Sequence, residues 1–341
     1  MMQMLTRAVA GLALFVASGC IYVTVPGHHA QAGEGEGEGA APGTLSQDVT
    51  VIVEPSDHGD AMRAAIRAAT QSVHMTMYIL SDDDTVSAIL DRASAGLDVK
   101  VVLNGSFPSG TGNANDDAYN TLHGAGVDVV YSSSAFTFTH EKCVIIDGSS
   151  AWVMTMNAAY SSPRDNREYL AVDNDAADVV EAEAIFAADF AHTTPSVSGN
   201  LLVAPVNVKD GIRALINGAE NSIDVEMEEL SDNDVVNDLA LQAHAGLTVR
   251  AVIADNDLSS AQSHAAANLK NAGVQVVKLS SPYVHAKAIV VDGARAYVGS
   301  ANMTTTSLEH NRELGLVTDT AATVAKVAAT VDEDISGGTS L

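Results

Sequence analysis

The sequence predicts an α/β fold of two homologous lobes, each a mixed β-sheet flanked by helices. Two observations support this prediction: strand patterns alternate with helix patterns, and one order of motifs occurs twice along the chain. With 341 residues, the chain is long enough to bury two cores. The predicted lobes span residues 48–195 and 200–335.

The first lobe shows the alternation of elements. Val49–Val53 is an apolar strand, and Asp60–Thr70 carries its apolar side chains on one helical stripe. Further strands are predicted at 73–80, 97–103, 127–131, 138–146, 151–156 and 167–172, and further helices at 84–95 and 115–123. The loop over residues 104–118 is rich in Gly, Ser and Asn, and we expect it to border the functional site.

The second lobe repeats the first. Leu80-Ser81-Asp82 recurs 150 residues later as Leu230-Ser231-Asp232. From His140, which pairs with His285, the offset is 145. Since the offset changes only slightly, short loop deletions separate two otherwise equivalent lobes.

The N-terminus predicts export. Arg7 precedes the apolar stretch Ala8–Ala17, which is too short to span a bilayer, so residues 1–20 are predicted to be a secretory signal peptide. The ending Ala-Ser-Gly-Cys20 resembles a bacterial lipoprotein box, which implies lipidation of Cys20; secretion without an anchor is the alternative. Residues 21–47 are Gly- and Glu-rich and predict a flexible linker. The expected location is the cell envelope, at the periplasmic or outer surface.

Charge and cysteine content exclude some classes of protein. The formal net charge is −26, and −24 remains after the first 43 residues are removed. An acidic body repels polyanions, so no nucleic-acid partner is expected. Cys143 is the single cysteine after the leader, so the body has no internal disulfide. We expect Cys143 to be a core residue.

Each lobe carries one copy of the pattern His-x-Lys-x-x-x-x-Asp. In a strand, residues two apart face the same side, so each His and its Lys should point together. The Asp-Gly pair that ends each copy predicts a hairpin turn. The returning strand would then bring a hydroxyl and an amide to the same face. The motif residues are His140, Lys142 and Asp147, and His285, Lys287 and Asp292; the returning residues are Thr155 and Asn157, and Ser300 and Asn302.

This constellation resembles the phospholipase D superfamily, whose members carry the HKD motif. Gly299-Ser300-Ala301-Asn302 matches the GSxN element of that family, whereas the first lobe has Met154-Thr155-Met156-Asn157. Glu168 and Glu313 each end an Asn-Arg-Glu sequence that matches the downstream Asn-x-Glu of the family.

The resemblance implies a single active site between pseudo-symmetric lobes and a covalent phosphohistidine intermediate, without cofactor or metal. It assigns His140 as nucleophile and His285 as general acid, with the reverse assignment left open. The lysines would neutralise the phosphate oxygens, and the Asn and hydroxyl side chains would bind them. In the family, a Glu equivalent to Glu168 or Glu313 often reaches across to one His. The resemblance also places the motif Asp in the catalytic set, although in the family it is more often structural and closes the turn.

The expected function is a phospholipase D-type phosphodiesterase, a monomer that hydrolyses head-group bonds at a membrane surface. Transfer to an alcohol, as in cardiolipin synthases, is the main alternative; a nuclease or a non-catalytic binding protein is less favoured. Several residues have local interpretations. Asp82-Asp83-Asp84 and the acids Glu226, Glu228 and Glu229 are predicted to cap helices, and Tyr78 to be a partly buried core residue.

Overall fold

The computed structural model describes residues 45–108, 111–255 and 258–341. The predicted signal peptide, Cys20 and most of the linker lie outside these residues and stay predictions, which mass spectrometry of the mature N-terminus would check. The last linker residues are already packed, because Ser46 is buried and its N–H donates to the Val317 carbonyl at 2.8 Å. Among the described helices, none is both long and apolar enough for a membrane span.

The first lobe consists of one mixed β-sheet with helices packed against it. Its elements are β1 (Val49–Glu54), α1 (Asp60–Ala68), β2 (Ser72–Met77), α2 (Asp83–Ser94), β3 (Asp98–Leu103), α3 (Asp116–Gly124), β4 (Asp128–Tyr131), β5 (Lys142–Ile146), β6 (Ser150–Met154), α4 (Ser162–Asp165), β7 (Asn166–Asp173) and α5 (Ala176–Phe190). The strand order is β1-β7-β6-β5-β2-β3-β4. Strands β2, β3 and β4 are parallel, and the others pair antiparallel.

The second lobe repeats this order. Its elements are β8 (Leu202–Ala204), α6 (Val208–Asn217), β9 (Ser222–Met227), α7 (Asn233–His244), β10 (Thr248–Ala254), α8 (Ser260–Asn271), β11 (Gln275–Leu279), β12 (Tyr283–Val284), β13 (Lys287–Val291), β14 (Arg295–Gly299), α9 (Thr305–Glu309), β15 (Glu313–Thr318), α10 (Ala321–Gly337) and β16 (Thr339–Ser340). The strand order is β8-β15-β14-β13-β9-β10-β11-β16. The predicted fold class, two α/β lobes with mixed sheets, is therefore confirmed.

The repeated Leu-Ser-Asp sequence is a helix start in both lobes. The Asp82 side chain accepts the Thr85 N–H at the start of α2, and Asp232 accepts the N–H groups of Asp234 and Val235 at the start of α7. These bonds satisfy backbone donors that the first helical turn leaves unpaired. The capping prediction is therefore confirmed for Asp82, at the head of the first acidic run.

The segment before each motif leaves its own lobe, contrary to the continuous strand predicted over residues 138–146. Thr139 pairs in parallel with Arg312 of the second lobe, and the N–H groups of His140 and Glu141 both donate to the Arg312 carbonyl. Strand β5 therefore begins only at Lys142. In the second lobe, β12 likewise pairs in parallel with the start of β7. Each histidine is thus carried onto the opposite lobe.

A shared core holds the lobes together. Strands of both sheets, with α5 and α10, form one buried cluster, while each lobe has a separate cluster under its outer helices. Cys143 and Ile145 lie in the shared cluster, and burial raises the pKa of the Cys143 thiol. Cys143 is therefore a core residue, as predicted.

Two buried ion pairs cross between the lobes. The Arg167 guanidinium binds Asp334 of α10 through two hydrogen bonds of 2.6 and 2.8 Å. The Arg312 Nε lies 2.8 Å from Asp189 of α5. Both pairs are almost fully buried. If one partner is removed, water therefore cannot reach the remaining charge to solvate it.

We expect Arg167→Met to lower the free energy of unfolding by about 3–5 kcal/mol, because it leaves the Asp334 carboxylate buried without its partner. Urea unfolding at neutral pH measures this loss. Arg67→Met is the matched control, since Arg67 and Asp91 are exposed and 3.8 Å apart. The control should cost about 1 kcal/mol or less. Equal losses in the two variants would contradict the prediction.

Candidate active site

The two crossing segments deliver both motif histidines to one cleft between the lobes. The cleft has a volume of about 620 Å³. His140 and Asn157 of the first lobe line it together with His285 and Asn302 of the second. The structure therefore assembles the predicted single site from both halves of the chain.

His140 is oriented by a glutamate of the second lobe. Its Nδ1 lies 3.0 Å from both carboxylate oxygens of Glu313. Glu313 is held in turn by the Ser300 hydroxyl, which donates at 2.6 Å, and by the Asn311 amide at 3.0 Å. With Nδ1–H donating to the carboxylate, Nε2 of a neutral ring keeps its lone pair. Burial lowers the pKa of His140, against the opposing pull of Glu313, and so favours that neutral ring.

His285 is oriented in the same way by the first lobe. Its Nδ1 lies 2.9 Å from the Glu168 carboxylate. Glu168 accepts the Thr155 hydroxyl at 2.5 Å and the Asn166 amide at 3.2 Å. The two Asn-Arg-Glu sequences therefore have the same roles in both lobes. The Glu orients the histidine of the opposite lobe, and the Asn donates a hydrogen bond to that Glu. The Arg forms the ion pair between the lobes.

The hydroxyls of Thr155 and Ser300 each donate to the glutamate that orients a motif histidine, and their contact with phosphate stays a prediction. Both side chains are fully buried and donate to the glutamates, so they act through the histidine partners. Gly299 has a packing role, since a Cβ there would lie 2.6 Å from the Gly315 Cα. The first lobe has Met154 in this position, buried in its own core.

The motif aspartates lie at the far ends of their strands, away from the imidazoles. Asp147 has φ 54° and accepts the N–H groups of residues 70–72, and Asp292 has φ 55° and accepts those of residues 220–222. The prediction that Asp147 and Asp292 are catalytic residues is therefore wrong as far as direct contact with the imidazoles is concerned. Their hydrogen bonds hold the hairpin turn against the start of the neighbouring strand, which is the structural role that the resemblance also implied.

The motif lysines are buried beside their own histidines. The Lys142 Nζ donates to the His140 carbonyl at 2.6 Å, and the Lys287 Nζ donates to the His285 carbonyl at 2.7 Å. Burial, helped by Lys287, lowers the pKa of Lys142 to about 7. Two buried lysines beside the cleft are, when protonated, a strong electrostatic partner for an anion.

Glu228 is a site residue, although its position after a strand predicted a helix cap. Its carboxylate lies 2.7 Å from the Lys287 Nζ and 3.3 Å from the Asn302 amide, at the end of β9. Burial works to raise the pKa of Glu228, but His285 and Lys287 outweigh it and hold the pKa far below its usual value. Glu226 is likewise no cap, because it is buried and accepts the Tyr169 hydroxyl.

Tyr78 occupies the position in the first lobe that matches Glu228. Its ring packs edge-on to His140, with centroids 4.6 Å apart, so it lines the cleft and is not a core residue. The offset of 150 residues that aligns the Leu-Ser-Asp sequences also aligns Tyr78 with Glu228. This alignment is the signal in the sequence from which Tyr78 and Glu228 could have been recognised as equivalent positions.

Comparisons with known proteins agree with this geometry. A family model described as "Cardiolipin synthase, PLD-like domain" matches residues 62–190 and again residues 212–335. A cardiolipin synthase of Halalkalibacterium halodurans is 24% identical over 326 residues, which cover 80% of this chain and 63% of that protein. The minor cardiolipin synthase ClsB of Bacillus subtilis is 24% identical and matches 84% of this chain and 81% of its own length.

Solved structures share the fold. A phosphatidylserine synthase of Haemophilus influenzae superposes with a TM-score of 0.68 at 11% identity and covers 88% of each chain. A polyphosphate kinase of Porphyromonas gingivalis gives a TM-score of 0.65 at 16% identity, over 84% of this chain and 47% of its own. Identities this low establish the fold of the described lobes and nothing about their substrate.

Proposed function

Because the chain belongs to the phospholipase D superfamily, we propose that this enzyme is a phosphatidyl transferase of the cardiolipin synthase type. The geometry that carries the proposal is the single cleft in which two imidazoles, each fixed by a glutamate of the opposite lobe, face the same space. The relatives that are named cardiolipin synthases favour transfer to an alcohol over the hydrolysis that the sequence alone favoured.

The proposed reaction has two displacements at phosphorus. In the first, the His140 Nε2 forms a bond to phosphorus while the bond to the head-group oxygen breaks, and His285 gives its Nε2 proton to that oxygen. In the second, the acceptor alcohol gives its proton to His285, and its oxygen displaces His140 from phosphorus. Water in place of the alcohol would complete a hydrolysis.

The lysines and amides would stabilise the charge on the two non-bridging oxygens. Lys142 and Lys287 are buried beside the carbonyls of His140 and His285, and Asn157 and Asn302 line the cleft. Donors that are already fixed in position cost little reorganisation when charge develops, so they stabilise the transition state more than the ground state.

A vesicle assay tests the proposal directly. The purified full chain is incubated with phosphatidylglycerol vesicles, and the products are identified by mass spectrometry. Transfer between two phosphatidylglycerol molecules gives cardiolipin and glycerol, which is the expected result; hydrolysis gives phosphatidic acid and glycerol. Phosphatidic acid without cardiolipin would overturn the transferase proposal in favour of a phospholipase. Cleavage of an oligonucleotide in chelator, with no lipid product, would favour a nuclease.

A further inference from the structure

The two halves of the cleft differ in chemistry at the equivalent positions Tyr78 and Glu228. In the first half, the aromatic ring of Tyr78 lies beside the motif residues, and the Lys142 Nζ is 4.9 Å from its centroid. In the second half, the carboxylate of Glu228 stands at that position. A site with two motif copies is therefore charged differently on its two sides.

The Glu228 carboxylate makes the contacts that a phosphate oxygen would make. One oxygen, Oε2, lies 2.7 Å from the Lys287 Nζ, 3.3 Å from the Asn302 Nδ2 and 3.5 Å from the His285 Nε2. A lysine ammonium, a side-chain amide and an imidazole are the donors that the proposed reaction needs around phosphorus. A carboxylate and a phosphate cannot share them, because both are anions and the donors are few.

We propose that Glu228 is an internal occupant of the phosphate site, which a substrate phosphate must displace, and that its carboxylate beside the His285 Nε2 is what separates the roles of the two histidines. The first part stands on the contacts of Glu228 alone. The second part rests on the proposed function, since it divides the roles of that reaction between the two histidines.

The surroundings of each ring support this division. The His285 ring lies between two carboxylates, with Glu168 at Nδ1 and Glu228 at Nε2. An acceptor at each nitrogen suits a ring that carries a proton on both, which is the form that donates to a leaving group. His140 has a carboxylate at Nδ1, and its neighbour Tyr78 presents a ring instead of an anion.

The cleft walls indicate which way a lipid diester would lie. On the first-lobe side, Tyr78 packs against Phe107 and Phe138, with ring centroids 5.4 and 6.0 Å apart. The second-lobe side is lined by the polar side chains of Ser259, Thr304, Thr306, Ser307 and Asn311. The glycerolipid part would contact the aromatic side, and the alcohol that leaves or enters would lie beside His285 and Glu228.

Binding of inorganic phosphate tests the displacement without any turnover. Calorimetry compares the unchanged protein with Glu228→Gln and with Glu333→Gln, an exposed carboxylate on α10 that is not part of the cleft lining. Since Gln at 228 removes the competing anion, we expect about ten-fold tighter phosphate binding, whereas Glu333→Gln should change affinity by less than about three-fold. Equal affinities in the two variants would overturn the proposal.

A shortened side chain keeps this test valid if Glu228→Gln fails to fold. Glu228→Asp retains the charge but draws the carboxylate back from Lys287, so it should also bind phosphate more tightly than the unchanged protein. Looser binding by a folded Glu228→Asp variant would count against the displacement.

The roles are tested by locating the covalent intermediate. With bis(p-nitrophenyl) phosphate as substrate, attack forms a bond from phosphorus to nitrogen and releases p-nitrophenolate. Quenching in alkali and peptide mass spectrometry should find the nitrophenylphosphoryl group on His140, and on both histidines in Glu228→Gln. The group on His285 in the unchanged protein would overturn the role assignment. If no variant is labelled, the proposed function fails, while the phosphate-binding result still decides whether Glu228 is the occupant.

Discussion

Replacing either His140 or His285 with alanine should lower kcat by more than about 10⁴-fold while the protein stays folded. The two imidazoles cannot substitute for each other. Each is fixed at Nδ1 by a different glutamate, Glu313 for His140 and Glu168 for His285. One variant loses the atom that bonds to phosphorus, and the other loses the proton that the leaving oxygen needs. The steady-state rate of the vesicle assay measures both losses.

The matched control for this prediction is His264→Ala. His264 is exposed on α8 and is not part of the cleft lining, so its loss should leave kcat within about two-fold. Thermal unfolding of all three variants checks that the fold is retained. A folded His140→Ala or His285→Ala protein with more than a few per cent of the original rate would refute the two-histidine reaction.

The second large effect is expected from the crossed glutamates. Glu313→Gln and Glu168→Gln should each lower kcat by about 10²- to 10⁴-fold, because a neutral amide neither fixes the tautomer nor stabilises the charged ring of its histidine. Each substitution keeps the size of the side chain, so the hydroxyl and amide that hold the carboxylate retain a partner. Glu309→Gln, an exposed carboxylate that pairs with Lys209, is the control.

The crossing makes the two variants distinguishable. Glu168 orients His285, so Glu168→Gln impairs proton transfer to the leaving oxygen. A p-nitrophenolate leaving group needs no proton, and its use should restore much of the first displacement in Glu168→Gln. Glu313→Gln impairs the His140 nucleophile, so the same substrate should restore little. Equal recovery in both variants would contradict the assignment of one glutamate to each step.

Local patterns in the sequence predicted the parts of this site that depend on neighbours in the chain. The motif copies, the Asp-Gly turns and the Asp82 helix cap each involve residues a few positions apart, whose geometry is set by strand or helix periodicity. The repeat then placed equivalent residues in equivalent lobes without any knowledge of how the lobes meet.

Such local patterns could not predict the contacts between the lobes. Nothing near Thr139 or Tyr283 in the chain indicates that these segments pair with Arg312, just before β15, and with β7 of the opposite lobe, because the partners lie more than 100 residues away. Glu228 was misassigned for the same reason: an acid after a strand resembles a helix cap until Lys287 and Asn302 are placed beside it. The hydrogen bond from the Ser300 hydroxyl to Glu313 could not be predicted for the same reason, because Glu313 belongs to the next strand.

The exchange of segments between lobes also changes what the duplication means. Two copies of a motif suggest redundancy, in which the loss of one copy leaves half of a function. Here the copies are reciprocal, since the imidazole of each half is aligned only by the carboxylate of the other. A fragment that contains one whole lobe would keep its His, Lys, Asn and Glu and still hold no aligned imidazole. The smallest unit that holds an aligned imidazole is therefore the pair of lobes packed against each other.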